Sequence, residues 1–326
     1  MEKNASFEIR DLKISYKVFN GELQVVDGMN LKLNSGERMG LVGEAGCGKT
    51  TTLKSVLAIL PKNAVIHSGE ILFNGEDVLK FDNKKLQEFR QRNCAMIFQD
   101  PSSALNPIFK VKDLMMNGMK NSLGVSRRDW KKEAYQRSVN ALREVMLPDP
   151  ERIMDNYPFQ LSGGMRQRVC IAMAIATDRH LLLADEPTTS LDVTIQEQIL
   201  RLIYKLSLEK KLSVVLVTHS MGVIREMTDR VSVMYAGTVV EVGDTKDVLE
   251  KPQHPYTKAL IACIPKLTGN GVAEGIPGRV PDYLHPPKGC RYVDRCPYAT
   301  EICRREKPKL LNCGENHQIA CHNCGR

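Results

Sequence analysis

A glycine-rich octapeptide, GEAGCGKT at residues 43–50, constrains the fold of this 326-residue chain more than any other feature. It fits the pattern G-x-x-x-x-G-K-[ST], in which glycines let successive backbone N–H groups point at one phosphate and the dipole of the following helix adds to the attraction. An apolar strand, RMGLVG at 38–43, runs into it, and a segment with the composition of a helix follows. The pattern requires this context, so we predict a nucleotide-binding loop.

Side chains and backbone have different tasks in the predicted loop. We expect the Lys49 ammonium to reach the β and γ phosphates of ATP, the Thr50 hydroxyl to ligate Mg²⁺, and Thr51 to add a hydrogen bond to phosphate. The backbone is expected to supply the other phosphate contacts, from Gly43, Glu44, Ala45, Gly46, Cys47 and Gly48.

Two adjacent carboxylates form the second candidate feature. The segment LLLADEP at 181–187 is an apolar strand that ends in Asp185 and Glu186. Acidic pairs at strand ends are often only solvated, but together with a phosphate loop Asp185 is suited to hold Mg²⁺, mostly through water. Glu186 is suited to orient and polarise the attacking water. Loop and carboxylates together predict ATP hydrolysis.

Apolar strands alternate with helical segments along most of the chain, which predicts an α/β fold with a mostly parallel sheet. Before and after the loop, segments with strand alternation predict an antiparallel subdomain, and VSVMYAGTVVEVG indicates a strand pair around Ala236-Gly237. Residues 111–157 lack that alternation and predict a helical insertion. We therefore predict a nucleotide-binding domain over 1–250, with a helical subdomain at about 100–160, and a small cysteine-rich domain over 251–326.

Composition excludes some classes of protein. The sequence has no apolar run of about 18 residues, as a membrane-spanning helix needs, and its N-terminus, MEKNASFEIRDLK, has no apolar signal-peptide core. We therefore expect a cytoplasmic protein that reaches a membrane only through a partner. The formal charge of +8 is spread along the chain, and no basic run with interleaved aromatics occurs, so no nucleic-acid partner is expected.

The phosphate loop, the signature LSGGMRQR at 161–168 and the acidic pair, in this order, resemble the ATP-binding-cassette (ABC) ATPases over residues 1 to about 250. The resemblance implies a sandwich dimer, in which Ser162, Gly163 and Gly164 bind the γ-phosphate of the ATP held by the opposite subunit. It also implies that Asp192, in the SLD sequence at 190–192, communicates across the dimer.

The same resemblance assigns roles to three further positions. Gln99 is expected to sense the γ-phosphate and Mg²⁺ and to touch the membrane partner, and His219, after the strand VVLVT, to contact the γ-phosphate. Tyr16 stands where the family stacks an aromatic ring on adenine, with Phe19 as the alternative. The implied catalytic residues are therefore Glu186, His219 and Gln99.

The last quarter of the chain narrows the resemblance to one branch of the family. HPYTKAL at 254–260, GIPGRVP at 275–281 and GC-x5-C-P-x5-C from Gly289 resemble the ATP-binding subunits of bacterial oligopeptide and dipeptide importers. In that branch two related ATPases pair beneath two integral-membrane permease subunits, fed by an extracytoplasmic solute-binding protein, which implies a peripheral protein on the cytoplasmic face of the inner membrane. Nickel and glutathione importers are close relatives, so these solutes stay open as alternatives, as does a soluble ABC-type regulator.

Six of the ten cysteines crowd into the last 37 residues. A cytoplasmic chain keeps thiols reduced, so this crowding indicates metal or redox chemistry. By resemblance four of them hold a [4Fe–4S] cluster, with zinc or no metal as alternatives. These four are Cys290, Cys296, Cys303 and Cys321; Cys313 and Cys324 are additional. Eight Lys and Arg against four Asp and Glu from Lys288 onward would partly offset the negative charge of a cluster.

Overall fold

The computed structural model describes residues 5–120, 129–189, 191–264 and 275–323. Their contacts group into two compact units. Unit 1 comprises Asn34–Glu37 and Lys80–Leu216, and unit 2 comprises Ala5–Leu33, Arg38–Leu79 and the described part of Val217–Arg326. The chain passes between the units several times, and the domain boundary near residue 250 stays a prediction.

The described strands include two long N-terminal ones and a series of shorter ones. They are β1 (Ala5–Val18), β2 (Gly21–Asn34), β3 (Arg38–Val42), β4 (Ala64–Phe73), β5 (Glu76–Asp77), β6 (Cys94–Ile97), β7 (Leu181–Asp185), β8 (Ser213–Val217), β9 (Arg230–Tyr235), β10 (Thr238–Asp244), β11 (Leu311–Gly314) and β12 (His317–Ile319).

The described helices are mostly short. They are α1 (Lys49–Val56), α2 (Asn83–Glu88), α3 (Pro101–Ala104), α4 (Val111–Met119), α5 (Trp130–Glu144), α6 (Pro150–Asp155), α7 (Gly163–Ile175), α8 (Val193–Glu209), α9 (Met221–Met227), α10 (Thr245–Glu250), α11 (Pro255–Ala262) and α12 (Glu301–Arg305). Single 3₁₀ turns lie at Val78–Lys80, Pro158–Gln160 and Val293–Arg295, and a π turn at Phe89–Asn93. Within the described ranges, no helix has the length and apolar character needed to cross a membrane.

Unit 2 contains the predicted antiparallel sheet, with the strand order β2-β1-β4-β5. Strands β1 and β4 pair in antiparallel register, with Phe7 opposite Phe73 and Ile9 opposite Ile71. All four of these side chains are buried, because alternate residues of a strand point to the same face. The period-two pattern of the sequence therefore becomes one apolar face of this sheet.

The second sheet of unit 2 has the strand order β11-β12-β10-β9-β3. Strands β3 and β9 are parallel, whereas β10 is antiparallel to both β9 and β12. The β9–β10 hairpin turns at Ala236 and Gly237, whose φ angles of 42° and 85° suit a two-residue turn with both residues in the left-handed region. The predicted mostly parallel sheet is thus mixed here, since the hairpin and the tail add antiparallel strands.

A hydrophobic cluster packs against the strands β9 and β10 of unit 2. It joins Tyr235 of β9 and Val240 of β10 to Tyr256 of α11 and to Tyr292, which lies between two of the C-terminal cysteines. The rings of Tyr235 and Tyr256 lie 4.5 Å apart, and those of Tyr235 and Tyr292 lie 5.0 Å apart. Tyr256 and Tyr292 therefore attach the described part of the segment beyond residue 250 to strand β9.

Unit 1 contains the strands β8-β7-β6 in that order, with β6 and β7 parallel. The segment predicted to be helical holds α3, α4, α5 and α6 among its described residues. Helix α5 packs on α4, α6 and α7 through apolar side chains such as Val139 and Leu142. The helical character of this insertion, predicted from the missing strand alternation, is confirmed for these helices.

His254 is a buried histidine that begins α11. Its Nδ1 accepts a hydrogen bond from the Tyr256 backbone N–H at 3.0 Å, and the backbone N–H of His254 donates to a Glu241 carboxylate oxygen at 2.9 Å. Burial, and next the positive charge of Lys258, lower the pKa of His254 from 6.5 to about 3. The imidazole is therefore neutral in the folded protein, as its acceptor role in the helix cap requires.

We expect the protein to lose stability as the pH falls below about 6.5, because the unfolded chain then binds a proton at His254 that the folded chain does not. The slope from this one residue is about 1.4 kcal/mol per pH unit at most. The His254→Asn variant keeps a side-chain oxygen for the cap and removes the titration. Chemical denaturation between pH 7 and about pH 5 should give a shallower slope for this variant, and an unchanged slope would contradict the assignment.

Candidate nucleotide site

The predicted phosphate loop has a backbone that only glycine adopts without strain. Gly43 and Gly48 have φ angles of 154° and 106°. A Cβ on Gly43 would lie 2.0 Å from the carbonyl oxygen of Met234, and one on Gly48 would lie 2.9 Å from that of Val25. The glycine pattern of the sequence is therefore explained by close approach between the loop and its neighbouring backbone.

The side chain of Lys49 folds back onto the phosphate loop. The buried Lys49 Nζ donates hydrogen bonds to the carbonyl oxygens of Gly43 at 2.8 Å and Glu44 at 3.0 Å. The Cys47 carbonyl accepts a hydrogen bond from the Gly237 N–H at 2.9 Å, which ties the loop to the β9–β10 hairpin. Helix α1 begins at Lys49, so the loop meets a helix N-terminus, where an anion is favoured.

Three side chains that sequence reasoning did not identify also contact this loop. The Glu44 N–H donates to the Tyr256 hydroxyl at 2.9 Å, and the Tyr283 hydroxyl donates to the Gly46 carbonyl at 3.0 Å. Arg295 forms a two-pronged ion pair with the Glu44 carboxylate, at 2.7 and 3.1 Å. No motif marks these residues as loop contacts, because they follow the loop by more than 200 positions along the chain.

Tyr16 lies close to the end of the loop. Its hydroxyl is 3.0 Å from the Thr51 hydroxyl, and its ring is partly buried. Phe19, the alternative aromatic, is fully exposed at the first position of the β1–β2 turn. The geometry therefore brings Tyr16, rather than Phe19, to the phosphate loop, while stacking on adenine stays a prediction.

His219 belongs to unit 2 with the loop. It lies two residues after the end of β8 and is exposed. The next residue, Ser220, caps α9 by accepting a hydrogen bond from the Val223 N–H at 3.4 Å. A histidine between a strand end and a capped helix has a fixed backbone position. Its expected contact with a γ-phosphate stays a prediction.

Unit 1 brings together Gln99 and Glu186. Parallel strands β6 and β7 end at the same edge of their sheet, and Gln99 and Glu186 follow these two ends. Gln99 Nε2 donates to the Glu186 carboxylate at 3.0 Å, and the Thr189 hydroxyl donates to the same oxygen at 3.1 Å. Glu186 has a φ of 46°, a backbone conformation that is uncommon outside glycine. Asp185, one residue earlier, is buried at the end of β7.

The signature residues of unit 1 form a helix N-terminus. Ser162 caps α7, its hydroxyl accepting a hydrogen bond from the Met165 N–H at 3.3 Å, and Gly163 and Gly164 form the first turn. A Cβ on Gly164 would lie 3.1 Å from a methyl carbon of Ile195, so α7 begins against the start of α8. Asp192 is the N-cap residue of α8. Ser190 lies outside the described residues.

The four predicted cluster ligands are free thiols in unit 2. The Cys290 N–H donates to the Cys303 carbonyl at 2.7 Å. Burial first, and then nearby thiols that include Cys303, raise the pKa of Cys290 to about 12. Three of the four sulfurs accept a hydrogen bond from the backbone N–H two residues further along, Cys290 from Tyr292, Cys296 from Tyr298 and Cys321 from Asn323.

The side chains predicted to ligate a cluster form no metal-holding group in the described part of the chain. Among the described residues, no three His, Cys, Asp or Glu side chains are arranged so that they could hold a metal ion. Cys313 is disulfide-bonded, and Cys324 lies outside the described residues. The expectation that all tail thiols are reduced is therefore wrong for Cys313.

Two known families match the chain. Residues 26–189 match the family described as ABC transporter, and residues 240–303 match the oligopeptide/dipeptide transporter C-terminal region. The first match contains the phosphate loop, the signature and the acidic pair. The second contains Tyr256, Tyr283 and Arg295, so all three additional loop contacts come from the region that distinguishes this branch.

Relatives match the chain over almost its full length. It is 42% identical to a probable D,D-dipeptide transport ATP-binding protein of Escherichia coli (strain K12), over 96% of this chain and 95% of the relative. It is 40% identical to the dipeptide transport ATP-binding protein of Bacillus subtilis (strain 168), over 98% of this chain and 95% of the relative. It is 41% identical to the oligopeptide transport ATP-binding protein of the same B. subtilis strain, over 96% of this chain and 87% of the relative.

Solved structures confirm the predicted α/β fold. A dimeric ATP-binding cassette bound to ADP and phosphate in a post-hydrolysis state superposes with a TM-score of 0.63 at 26% identity, over 73% of this chain and 98% of that one. A component of an ABC transporter complex from Clostridium perfringens superposes with a TM-score of 0.62 at 26% identity, over 76% of this chain and 91% of that one.

We expect the Gly43→Ala substitution to abolish ATP binding, because the new Cβ would collide with the Met234 carbonyl. Gly75→Ala is the matched control, since Gly75 also has a positive φ, 85°, but has open space around its Cα. The control should cost about 1 kcal/mol of folding free energy and leave ATP affinity unchanged. Chemical denaturation and ATP titration measure both effects. Equal losses in the two variants would contradict the close-approach argument.

Proposed function

The chain belongs to the ABC transporter family, and on that premise we propose that it hydrolyses ATP to power the import of di- and oligopeptides through a membrane transporter. The observation that supports the peptide assignment best is the match of residues 240–303 to the oligopeptide/dipeptide transporter C-terminal region. Relatives that are named for dipeptide and oligopeptide transport extend over nearly the whole chain, which adds to it. Import of nickel or glutathione is the alternative within the same branch.

Glu186 is the proposed general base of hydrolysis. Its carboxylate accepts hydrogen bonds from Gln99 and Thr189, and these two contacts fix its orientation at the end of β7. An oriented carboxylate can accept a proton from the water that attacks the γ-phosphate. Gln99 contacts the base directly, so a change at Gln99 is transmitted to Glu186 through one hydrogen bond.

Magnesium is the ion that the phosphate chemistry requires. Thr50, Gln99 and Asp185 offer oxygen donors of the kind that Mg²⁺ prefers, and Asp185 is buried at a strand end. The ion would neutralise charge on the phosphates. Lys49 supplies further positive charge from within its loop.

A dimer completes the proposed site. Ser162, Gly163 and Gly164 form a capped helix N-terminus, a structure that attracts anions and suits the γ-phosphate of the ATP held by a second subunit. Phosphoryl transfer depends mostly on positioning and charge stabilisation, so one half-site alone should be slow. Asp192 starts α8 beside this N-terminus and is suited to carry the contact across the dimer.

The proposed assembly sits at the cytoplasmic face of the inner membrane. It contains a second ABC ATPase subunit, two integral-membrane permease subunits and an extracytoplasmic solute-binding protein.

The identity of the transported solute can be tested by purifying the chain with its permease partners and reconstituting the complex in vesicles. ATP-dependent uptake of a labelled dipeptide or oligopeptide supports the proposal, and uptake of nickel or glutathione in its place supports the alternative.

We expect Glu186→Gln to lower ATP hydrolysis at least about 100-fold, because the amide cannot accept the proton from water. ATP should stay bound and hold the dimer closed, which size-exclusion chromatography with ATP detects. Glu197→Gln is the control, since Glu197 lies exposed on α8 and, within the described ranges, forms an ion pair with Arg201. Normal hydrolysis by the Glu186→Gln protein in its full complex would refute the assignment of the base.

The four tail thiols are proposed to hold a [4Fe–4S] cluster. Backbone N–H groups directed at three of their sulfurs stabilise thiolates, as in iron–sulfur sites. A single zinc ion needs sulfurs about 2.3 Å from one centre, whereas a four-iron cluster takes each thiolate on a separate iron.

Anaerobically purified protein should contain about four irons and four sulfides per chain. Cys290→Ser removes one proposed ligand and should lower both contents. Cys263→Ser is the control, because Cys263 is a cysteine that belongs to none of the four positions. Metal analysis that finds zinc, or no metal, would overturn the cluster and leave the ATPase assignment intact.

A further inference from the structure

We propose that Arg295 positions the ATP-binding loop and neutralises its one acidic side chain, with Tyr256 and Tyr283 as backbone anchors. The C-terminal segment would thereby set the affinity of the site for ATP. This inference rests on the proposed role of residues 43–51 in binding phosphate. It adds that three residues more than 200 positions away determine the shape and charge of that loop.

Arg295 uses its whole guanidinium group for this contact. Its two Nη atoms donate to the Glu44 carboxylate at 2.7 and 3.1 Å. Further hydrogen bonds reach the Ile276 carbonyl at 2.9 Å, the Pro277 carbonyl at 3.0 Å and the Tyr235 hydroxyl at 3.3 Å. These account for all five N–H donors of an arginine, and the side chain is only 4% exposed. A buried, fully bonded arginine has one orientation, so it can fix its partner.

Glu44 makes this contact important for an anionic ligand. It is an acidic residue within a loop expected to bind the phosphates of ATP, and 26% of its side chain is exposed. An unpaired carboxylate there would repel phosphate, because like charges a few ångströms apart interact strongly near a protein surface. The ion pair with Arg295 removes most of that repulsion.

The two tyrosines hold the backbone of the same loop. Tyr256 accepts from the Glu44 N–H, and Tyr283 donates to the Gly46 carbonyl. Tyr256 is fully buried and its ring packs against Tyr235 and Tyr292. Gly46 has a φ of 77° with open space around its Cα, so neighbouring atoms do not fix it sterically. Anchors of this kind reduce the conformational freedom that a glycine-rich loop loses when it binds a ligand.

Equilibrium binding of ATP to the full-length chain tests the proposal. We expect Arg295→Met to weaken ATP binding about tenfold or more, since it removes hydrogen bonds to a charged group and exposes the Glu44 charge. Arg305→Met is the matched control, because Arg305 lies in the same segment, is exposed and, in the part of the chain that the structure describes, forms its ion pair with Glu301. It should leave ATP affinity unchanged. The unfolding midpoint and the iron content are measured for each variant alongside.

A second substitution distinguishes a loss of ATP affinity caused by the Glu44 charge from one caused by a general loss of stability. Glu44→Gln placed in the Arg295→Met background should recover most of the lost affinity, because the repelling charge is gone, whereas a merely structural Arg295 would show no such rescue. Wild-type affinity in folded Arg295→Met protein would overturn the proposal, as would a double variant that binds no better than the single one.

Milder variants keep the proposal testable if Arg295→Met does not fold. Tyr283→Phe removes only the hydroxyl that bonds Gly46 and should weaken ATP binding about threefold, and an unchanged affinity would then overturn the anchor role. Lys49→Ala tests the premise separately. Normal ATP binding by Lys49→Ala protein would refute the phosphate loop itself, rather than the contacts that Arg295 makes with it.

Discussion

The close approach of the phosphate loop to strand β9 is the contact on which unit 2 depends. Gly43 lies so near the Met234 carbonyl that no side chain fits, and Gly237 at the hairpin turn donates to the loop carbonyl of Cys47. Strand β3, which carries the chain into the loop, is parallel to β9. Loop, strand and hairpin therefore form one framework, and Tyr235 at the end of β9 extends it to Tyr256 and Arg295.

The basic character of the C-terminal segment has a different use from the one its composition suggests. Composition alone favours an interpretation in which Lys and Arg offset the charge of a metal cluster. Arg291 donates hydrogen bonds to the Ala236 and Gln24 carbonyls, and Arg295 donates to the Glu44 carboxylate. Lys307 pairs with Asp27 of β2 at 2.7 Å. These cations bind the segment to the nucleotide-binding framework.

In unit 1 the edge of a sheet positions the candidate catalytic residues. Two parallel strands end side by side, which brings the residues after them, Gln99 and Glu186, within hydrogen-bonding distance. The positive φ of Glu186 turns its side chain out of the strand direction. A buried glutamine, Gln167 of α7, donates to the Pro187 carbonyl at 2.6 Å and links the signature helix to the same turn. The catalytic candidates of this unit are thus held by backbone geometry as well as by side chains.

The sequence by itself determined the features that depend on local chemistry. Local sequence patterns predicted four kinds of feature, because each depends only on neighbouring residues. These are the glycines at positive φ, the strand alternation, the apolar strand before the acidic pair and the serine that caps α7. The sequence predicted the α/β fold, the antiparallel sheet, the helical insertion and the candidate residues of the nucleotide site. Tertiary structure alone decided that the sheet is mixed and that Tyr256, Tyr283 and Arg295 reach the loop. Glu44 and Arg295 are 251 positions apart, and a contact over that distance depends on the path of the whole chain, which no local pattern encodes.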